Sequence, residues 1–548
     1  PTYQRAPWLT AKGTFGIDWQ EAEESDYESP TRAPSEGGTF SRRFNDVTNL
    51  TLNGTLNADP TFADVHDVSL LLGSEYRREY EDEEENGFQG FNNSLLRVPA
   101  AASSVSFFQG FNTAFRTLSY FGRANYTYDR RYILTLTGRY QGTSRFGDDK
   151  RWGFFPSVSA GWRISEENFF DIDVVEQLKL RASYGVTGNS DIGNFAARGL
   201  YNIGGSYTDQ VGIRPGQLAN QSLSWEENRE YNLGLDWSLW SGRFSGSLSV
   251  YRSVNDQLLL NRPLPSSSGF GAITENTGKV RNQGVEFELS TVNVQTESFR
   301  WSTRFNISVK NNEVLELTGD QDALNPGSTV PVEVGHPIQG WNVPIWAGVN
   351  PADGRPMWYD EDGNLTYRPT QADRKHVNGS LEDVVGGIGT TFNYEGLSLD
   401  LFFDYSFGAQ SLPNTQTTYT DPFGENVLEF VVEERWENPG DVVRYPRAAP
   451  FGNYDLIPGD GASSPDINST NWLYKNNYIR LKTVRIGYSF PGSFPEQIGL
   501  SGARVYASAS NLLQWTPYLG IDPEVADTFE EASYPAEQQI NVGLELTL

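Results

Sequence analysis

The chain contains no cysteine, which excludes disulfides, thiol nucleophiles and cysteine-held metal centres. Long apolar runs are also missing. No window approaches the roughly 18 uninterrupted apolar residues of a transmembrane helix, and mean hydropathy is −0.51. Positive charge is scarce: 42 lysines and arginines stand against 70 acidic residues, a formal net charge of −28. Nucleic acid demands a basic surface, so no nucleic-acid partner is expected. Histidine occurs three times, as His66, His336 and His376. The three are dispersed, none with a ligand-spaced neighbour, so no metal and no catalytic triad is expected of them.

Aromatic residues are plentiful: 14 Trp, 27 Tyr and 32 Phe. They end segments of alternating character. In the stretch 131–140, Tyr132, Leu134, Leu136, Gly138 and Tyr140 share one face, and Ile133, Thr135, Thr137 and Arg139 share the other. A period of two, apolar on one side and polar on the other, is a strand between oil and water. The pattern recurs about sixteen times: 8–20, 40–57, 66–79, 116–128, 131–142, 152–165, 178–187, 229–240, 243–256, 282–294, 299–312, 384–394, 397–408, 476–490, 503–515 and 536–548. Trp301, Thr303, Phe305, Ile307 and Val309 oppose Ser302, Arg304, Asn306, Ser308 and Lys310; only Phe402 breaks the pattern of 397–408.

The connections alternate as well. Short ones such as Asp129-Arg130, Ser241-Gly242 and Glu395-Gly396 take turns with long ones at 80–115, 188–228, 257–281, 313–383, 409–475 and 516–535. Short periplasmic turns and long extracellular loops on opposite rims are the layout of an outer-membrane barrel. A soluble β-protein with aromatic cores, or a carbohydrate-binding array, has no reason to sort its connections this way. The expected fold class is all-β, a transmembrane antiparallel β-barrel with long extracellular loops, occupying 1–548 as one unit in outer-membrane lipid. The sequence starts at Pro1 with no signal peptide behind it, so a processed chain, or one lacking its front, is expected.

Several motifs then resemble the SusC/RagA family of TonB-dependent outer-membrane transporters. They are 119–126 (Ser-Tyr-Phe-Gly-Arg-Ala-Asn-Tyr), 142–147 (Gly-Thr-Ser-Arg-Phe-Gly), 155–167, 178–189, Trp225-Glu226-Glu227 with 231–236, 282–286 (Asn-Gln-Gly-Val-Glu), 478–482 (Tyr-Ile-Arg-Leu-Lys), and Asn511-Leu512 through Asp522-Pro523-Glu524. They lie in order from about residue 116 to the end. The resemblance implies a barrel of about twenty-two strands plugged by an N-terminal domain. Neither the plug nor a TonB box is visible in this sequence, and Leu548 stands where an aromatic last residue is common. It further implies import of oligosaccharides or oligopeptides, a SusD-like surface lipoprotein over the external loops, energy from TonB–ExbB–ExbD, and pairing of two importers with two lipoproteins. A structural barrel anchoring a surface complex and a passive porin are the alternatives.

No catalytic constellation or cofactor site is expected. Glu226 and Glu227, adjacent on a strand, point to opposite faces and cannot flank one glycosidic bond. The acidic run Glu79–Glu85 reads as a solvated loop flank. Asp360-Glu361-Asp362-Gly363-Asn364 lacks full calcium-loop spacing and reads as a tight turn. Gly386-Gly387-Ile388-Gly389 precedes a strand, so it relieves crowding rather than cradling phosphate. Aromatics cluster in the long loops: Trp341, Trp346, Trp358, Tyr359, Trp436 and Tyr445. Flat rings stack on sugars or peptide side chains, so these are the substrate-contact candidates; packing of loop on loop or on a partner is the competing role.

Overall fold

The computed structural model describes residues 2–548 except 7, 34, 63–64, 208–209, 320, 414–426, 428, 450–453, 456–462, 464–467, 498, 525–527 and 531–533. Each of the sixteen expected stretches holds a strand. No helix among the described residues is long and apolar enough to cross a membrane. The chain divides into two compact units: Pro1–Trp162 with Ala182–Tyr231 and Asn255–Thr277, and Arg163–Arg181 with Asn232–Val254 and Gly278–Leu548.

In the first unit, the strands Leu9–Glu28, Thr39–Ala58, His66–Phe91, Ala102–Tyr128, Tyr132–Thr143 and Trp152–Arg163 pair in sequence order, all antiparallel. One face carries large apolar side chains that touch no core. Phe15, Ile17, Trp19, Leu72, Leu136 and Phe154 are all exposed. In water this display would forgo about 25 cal/mol for every Å² left wet; lipid removes that cost. Aromatic stacks bound the apolar band. Trp152 lies over Tyr140 at 4.7 Å and Tyr120 at 6.5 Å, while Tyr128 stacks on Tyr132 at 6.3 Å. From Tyr132 to Tyr140 the strand advances about 26 Å at its usual rise. At the tilt of about 35–45° that barrel strands take, this spans roughly 20 Å of the membrane normal, most of an apolar belt about 25 Å tall between interfacial girdles.

Two expectations change here. Glu79–Glu85 is no loop flank; it lies inside the 26-residue strand His66–Phe91. Its partner Ala102–Tyr128 runs 27 residues, so the long connection expected at 80–115 shrinks to 92–101. Alternation marks only the part of a strand that lies in lipid. Beyond it both faces are wet, the sequence pattern stops, and the hydrogen-bond ladder continues.

In the second unit, Lys279–Gln295, Phe299–Glu316, Val384–Tyr394, Leu397–Phe407, Tyr478–Ser489, Gly502–Trp515 and Gln539–Thr547 pair antiparallel in that order. The terminal strand sets Ile540, Val542 and Leu544 outward, with Val542 77% exposed. Tyr394 and Leu397 pair across the two-residue turn Glu395-Gly396, where φ is +44° and +89°. Positive φ at both central residues gives the turn whose twist matches a hairpin. The glycines of 386–389 relieve crowding. A Cβ on Gly386 would lie 2.4 Å from the Tyr405 hydroxyl, which donates to the Asn306 carbonyl at 2.9 Å. Phe402, the residue that breaks the alternation, lays its ring over Gly387, where a Cβ would meet it at 2.9 Å.

Candidate functional site

The long connections of the second unit fold into a module of their own. Gly340–Pro344 pairs with Arg374–Gly379. Trp346–Val349, Pro356–Tyr359 and Leu365–Thr366 make a three-stranded sheet. Gln410–Pro413 pairs antiparallel with Tyr474–Lys475 and parallel with Phe529–Glu530. Trp341, Val343, Leu412, Val431, Tyr445, Trp472, Tyr474 and Tyr518 form its apolar core. Parts of the connections 409–475 and 516–535 lie outside the described residues.

This core decides the fate of the six aromatic candidates. Trp341 and Trp358 are 0% exposed and Tyr445 is 1% exposed. The structure corrects these three: their rings hold the module together and present no face to a ligand. The Trp341 indole N–H donates to the Gln410 carbonyl at 3.0 Å. Burial pushes the Tyr445 hydroxyl far above its ordinary range, so it stays neutral. Trp346 is half-buried, edge-on to Trp358 with ring centroids 5.3 Å apart. Trp436 is half-buried, its indole N–H donating to the Pro351 carbonyl at 3.0 Å. Tyr359 is 40% exposed. Clustering of aromatics in sequence cannot tell a loop core from a binding face, because both need large rings.

The segment 360–364 builds the tight turn expected of it. The Gly363 amide donates to the Asp360 carbonyl at 3.1 Å, the Asn364 amide donates to the Asp360 carboxylate at 2.7 Å, and Gly363 has φ +83°. Asp373 fastens this turn. Its carboxylate accepts from the Thr370 amide at 2.6 Å, the Thr370 hydroxyl at 2.8 Å and the Glu361 amide at 2.8 Å. The Thr370 amide, outweighing burial and helped by the other two donors, holds this carboxyl below the usual aspartate range. The contribution is therefore complete above the ordinary aspartate pKa of about 3.9, and is lost as pH falls through the depressed value. Asp373→Ala is expected to cost about 1–3 kcal/mol locally by leaving amides unpaired, read as faster hydrogen exchange in a peptide spanning 360–374.

A second anchor joins two of the family-like motifs. Arg480, 2% exposed, donates to Asp522, Glu524 and Gln514. Lys482 pairs with Glu524 and lies 3.9 Å from Asp404. The Asp522 carboxylate also accepts the amides of Glu524 and Ala536, each at 3.0 Å. The connection after Gly502–Trp515 is thereby tied to the polar face of Tyr478–Ser489. Nearby in sequence to the module, Asn282, Lys310, Asn312 and Glu382 help line a cavity of about 270 Å³ together with Tyr251, Pro337 and Leu381, with Lys310 and Glu382 paired at 2.9 Å.

In the first unit the motifs 142–147 and Trp225 also meet. Trp225 packs edge-on against Phe146 at 5.4 Å and Phe155 at 5.1 Å, and its indole N–H donates to the Arg151 carbonyl at 2.9 Å. Their role is packing.

The histidines are not all dispersed, and here the sequence expectation is wrong. His336 and His376 stack with ring centroids 3.7 Å apart, and His376 Nε2 lies 2.8 Å from the Glu333 carboxylate. The backbone explains it. Val314 and the turn ending at His336 exchange two hydrogen bonds, at 2.8 and 2.9 Å, and the pairing of Arg374–Gly379 with Gly340–Pro344 returns His376 to the same place. The Glu-x-x-His spacing of 333–336 was the available signal, but its third member lies 40 residues further along.

The family model for the "TonB dependent receptor-like, beta-barrel" matches residues 3–350. The chain belongs to this family. The barrel is similar to TonB-dependent receptor P39 of Formosa agariphila, 28% identical over 99% of this chain and 57% of the relative. It is also similar to TonB-dependent receptor SusC of Bacteroides thetaiotaomicron, 29% identical over 98% of this chain and 54% of the relative. In solved structures, the RagAB peptide transporter superposes with a TM-score of 0.89 at 25% identity, over 100% of this chain and 60% of that one. This TonB-dependent receptor-like barrel is an outer-membrane protein, similar in sequence to SusC and in fold to RagAB. It spans less than two thirds of the length of these relatives.

Proposed function

We propose that this barrel forms the wall and the outer loop module of a TonB-dependent importer for oligopeptides or oligosaccharides. The carrying observation is the pairing of a lipid-exposed apolar face with a charged opposite face in a chain that superposes on a peptide transporter over its whole length. A strand ladder of this kind supplies a rigid wall with its backbone groups satisfied in lipid. Import energy would come through TonB–ExbB–ExbD, and a SusD-like lipoprotein would close over the loop module, which is prefolded around its aromatic core. Peptide is favoured over glycan by the RagAB likeness; SusC among the relatives keeps oligosaccharide in the test. Trp346, Tyr359 and Trp436 are the aromatic candidates with surface to offer a substrate.

The test is uptake of labelled oligopeptides and oligosaccharides by cells carrying the full-length protein, with and without TonB. Uptake of one class that vanishes without TonB is the expected result. Uptake that persists would establish a passive porin, and no uptake of either class would leave an anchoring barrel. Tyr359→Ala is expected to weaken substrate capture several-fold, since a ring contact contributes about 1 kcal/mol; unchanged half-saturation would remove Tyr359 from the site.

A further inference from the structure

We propose that Glu333, His336 and His376 form a binding site for a divalent transition-metal ion of the Zn²⁺ type. One ligand atom from each of the three lies within 4.8 Å of the other two. Two imidazoles and one carboxylate are a donor set suited to zinc, nickel or copper, whereas calcium and magnesium take oxygen shells. Three protein donors leave a position open for water or for a donor from an incoming molecule.

The scaffold is fixed before any ion arrives. Glu333 ends a short pairing with Ala323, and the turn from Glu333 to His336 is closed by a backbone bond of 3.2 Å. Hydrogen bonds to fully buried Val314 hold that turn, and His376 opposes Asn342 in a regular ladder. The three side chains are half-buried, so the site is partly dry yet reachable. In the stacked arrangement the two rings lie 13° from parallel, so their nitrogen lone pairs lie in nearly parallel planes. Coordination at about 2.0–2.1 Å requires the rings to tilt toward a shared point. His376 Nδ1 is buried and makes no hydrogen bond among the described residues, so no such bond resists that rotation. The ion would replace the contact between His376 Nε2 and the Glu333 carboxylate, exchanging one proton-mediated bridge for three metal bonds. Its structural effect is a clamp between the turn 333–336 and the strand Arg374–Gly379.

This chain contributes three histidines, and His66 is the internal control. The full chain, purified in detergent without a polyhistidine tag and stripped of metal, is titrated with ZnCl₂ by calorimetry. One equivalent is expected to bind at micromolar or tighter Kd. His336→Gln and His376→Gln are each expected to weaken it at least tenfold, and His66→Gln to leave it unchanged. Heat-modifiable migration confirms that each variant is folded. Independently of any variant, Cu²⁺ bound to the native chain is expected to show nitrogen hyperfine structure from two imidazoles by electron paramagnetic resonance. Absence of stoichiometric Zn²⁺ binding, or binding untouched in the double variant H336Q/H376Q, overturns the site. The readout is ion binding, so failure of the import reading leaves it standing and the reverse also holds.

Discussion

Arg480→Met is expected to destabilise the protein by about 3–5 kcal/mol, the cost of breaking a buried ion pair from one side. The guanidinium is held by Asp522, Glu524 and Gln514, and the Asp522 side chain is nearly as buried as Arg480 itself. Removing the cation leaves a carboxylate in a dry place. The double variant R480M/D522L is expected to recover only part of the loss: it removes the stranded Asp522 carboxylate but unpairs the Glu524 and Ala536 amides that Asp522 accepts. Denaturant unfolding in lipid vesicles measures the difference, and cleavage by protease within 516–538 reports where it falls. Equal stabilities for the native chain and R480M would show that the network contributes nothing. The pH dependence has a defined sign. Burial raises the Asp522 carboxyl, but the Ala536 amide and Arg480 outweigh it and bring it below the usual range. Its contribution is full above about pH 4, the ordinary aspartate value, and disappears as pH falls through the depressed one.

Leu136→Arg is the second large effect, about 2–4 kcal/mol for a cation at the midplane of a barrel's lipid face. Leu136 stands midway between Tyr132 and Tyr140, opposite Ala124 on one side and Val158 on the other. Thr135→Arg, one residue away on the polar face opposite Asn125 and Ser159, is expected to cost less than about 1 kcal/mol. The contrast between neighbours is the readout, because only alternation across a bilayer predicts it. Similar penalties at both positions would mean that the apolar face of Tyr132–Thr143 does not meet lipid.

Legibility in the sequence followed the physical force that shaped each residue. Lipid imposes a strict period of two, so strands such as 384–394 were readable to the residue. Water imposes no such period, so the upper parts of His66–Phe91 and Ala102–Tyr128 were missed although their ladders are continuous. The two-residue turns announced themselves because they join alternating segments directly. Site residues were less readable. Trp341 and Tyr445 were found as aromatics but not as core, since burial is a property of the folded loop. Arg480 and Asp522 were recognised as motif members without a role, because the bond between them spans 42 positions. His336 and His376 were placed apart for the same reason: a contact made by two returning chains leaves no trace in local spacing.

The overlong strands have one more consequence. A 27-residue strand at about 3.3 Å per residue is roughly 90 Å long, and a bilayer accounts for only part of that even after tilt. The remainder is a mast standing in water, held by its ladder and by side-chain contacts such as Tyr27 edge-on to Phe91 at 5.5 Å and the Arg42–Glu23 ion pair. On its outer side Glu21, Asp46 and Asp82 sit directly abreast on three neighbouring strands. Strands are about 4.8 Å apart, well inside the Debye length of about 8 Å at physiological salt. The three carboxylates therefore repel one another across the ladder, and their joint repulsion of a polyanion weakens as salt rises.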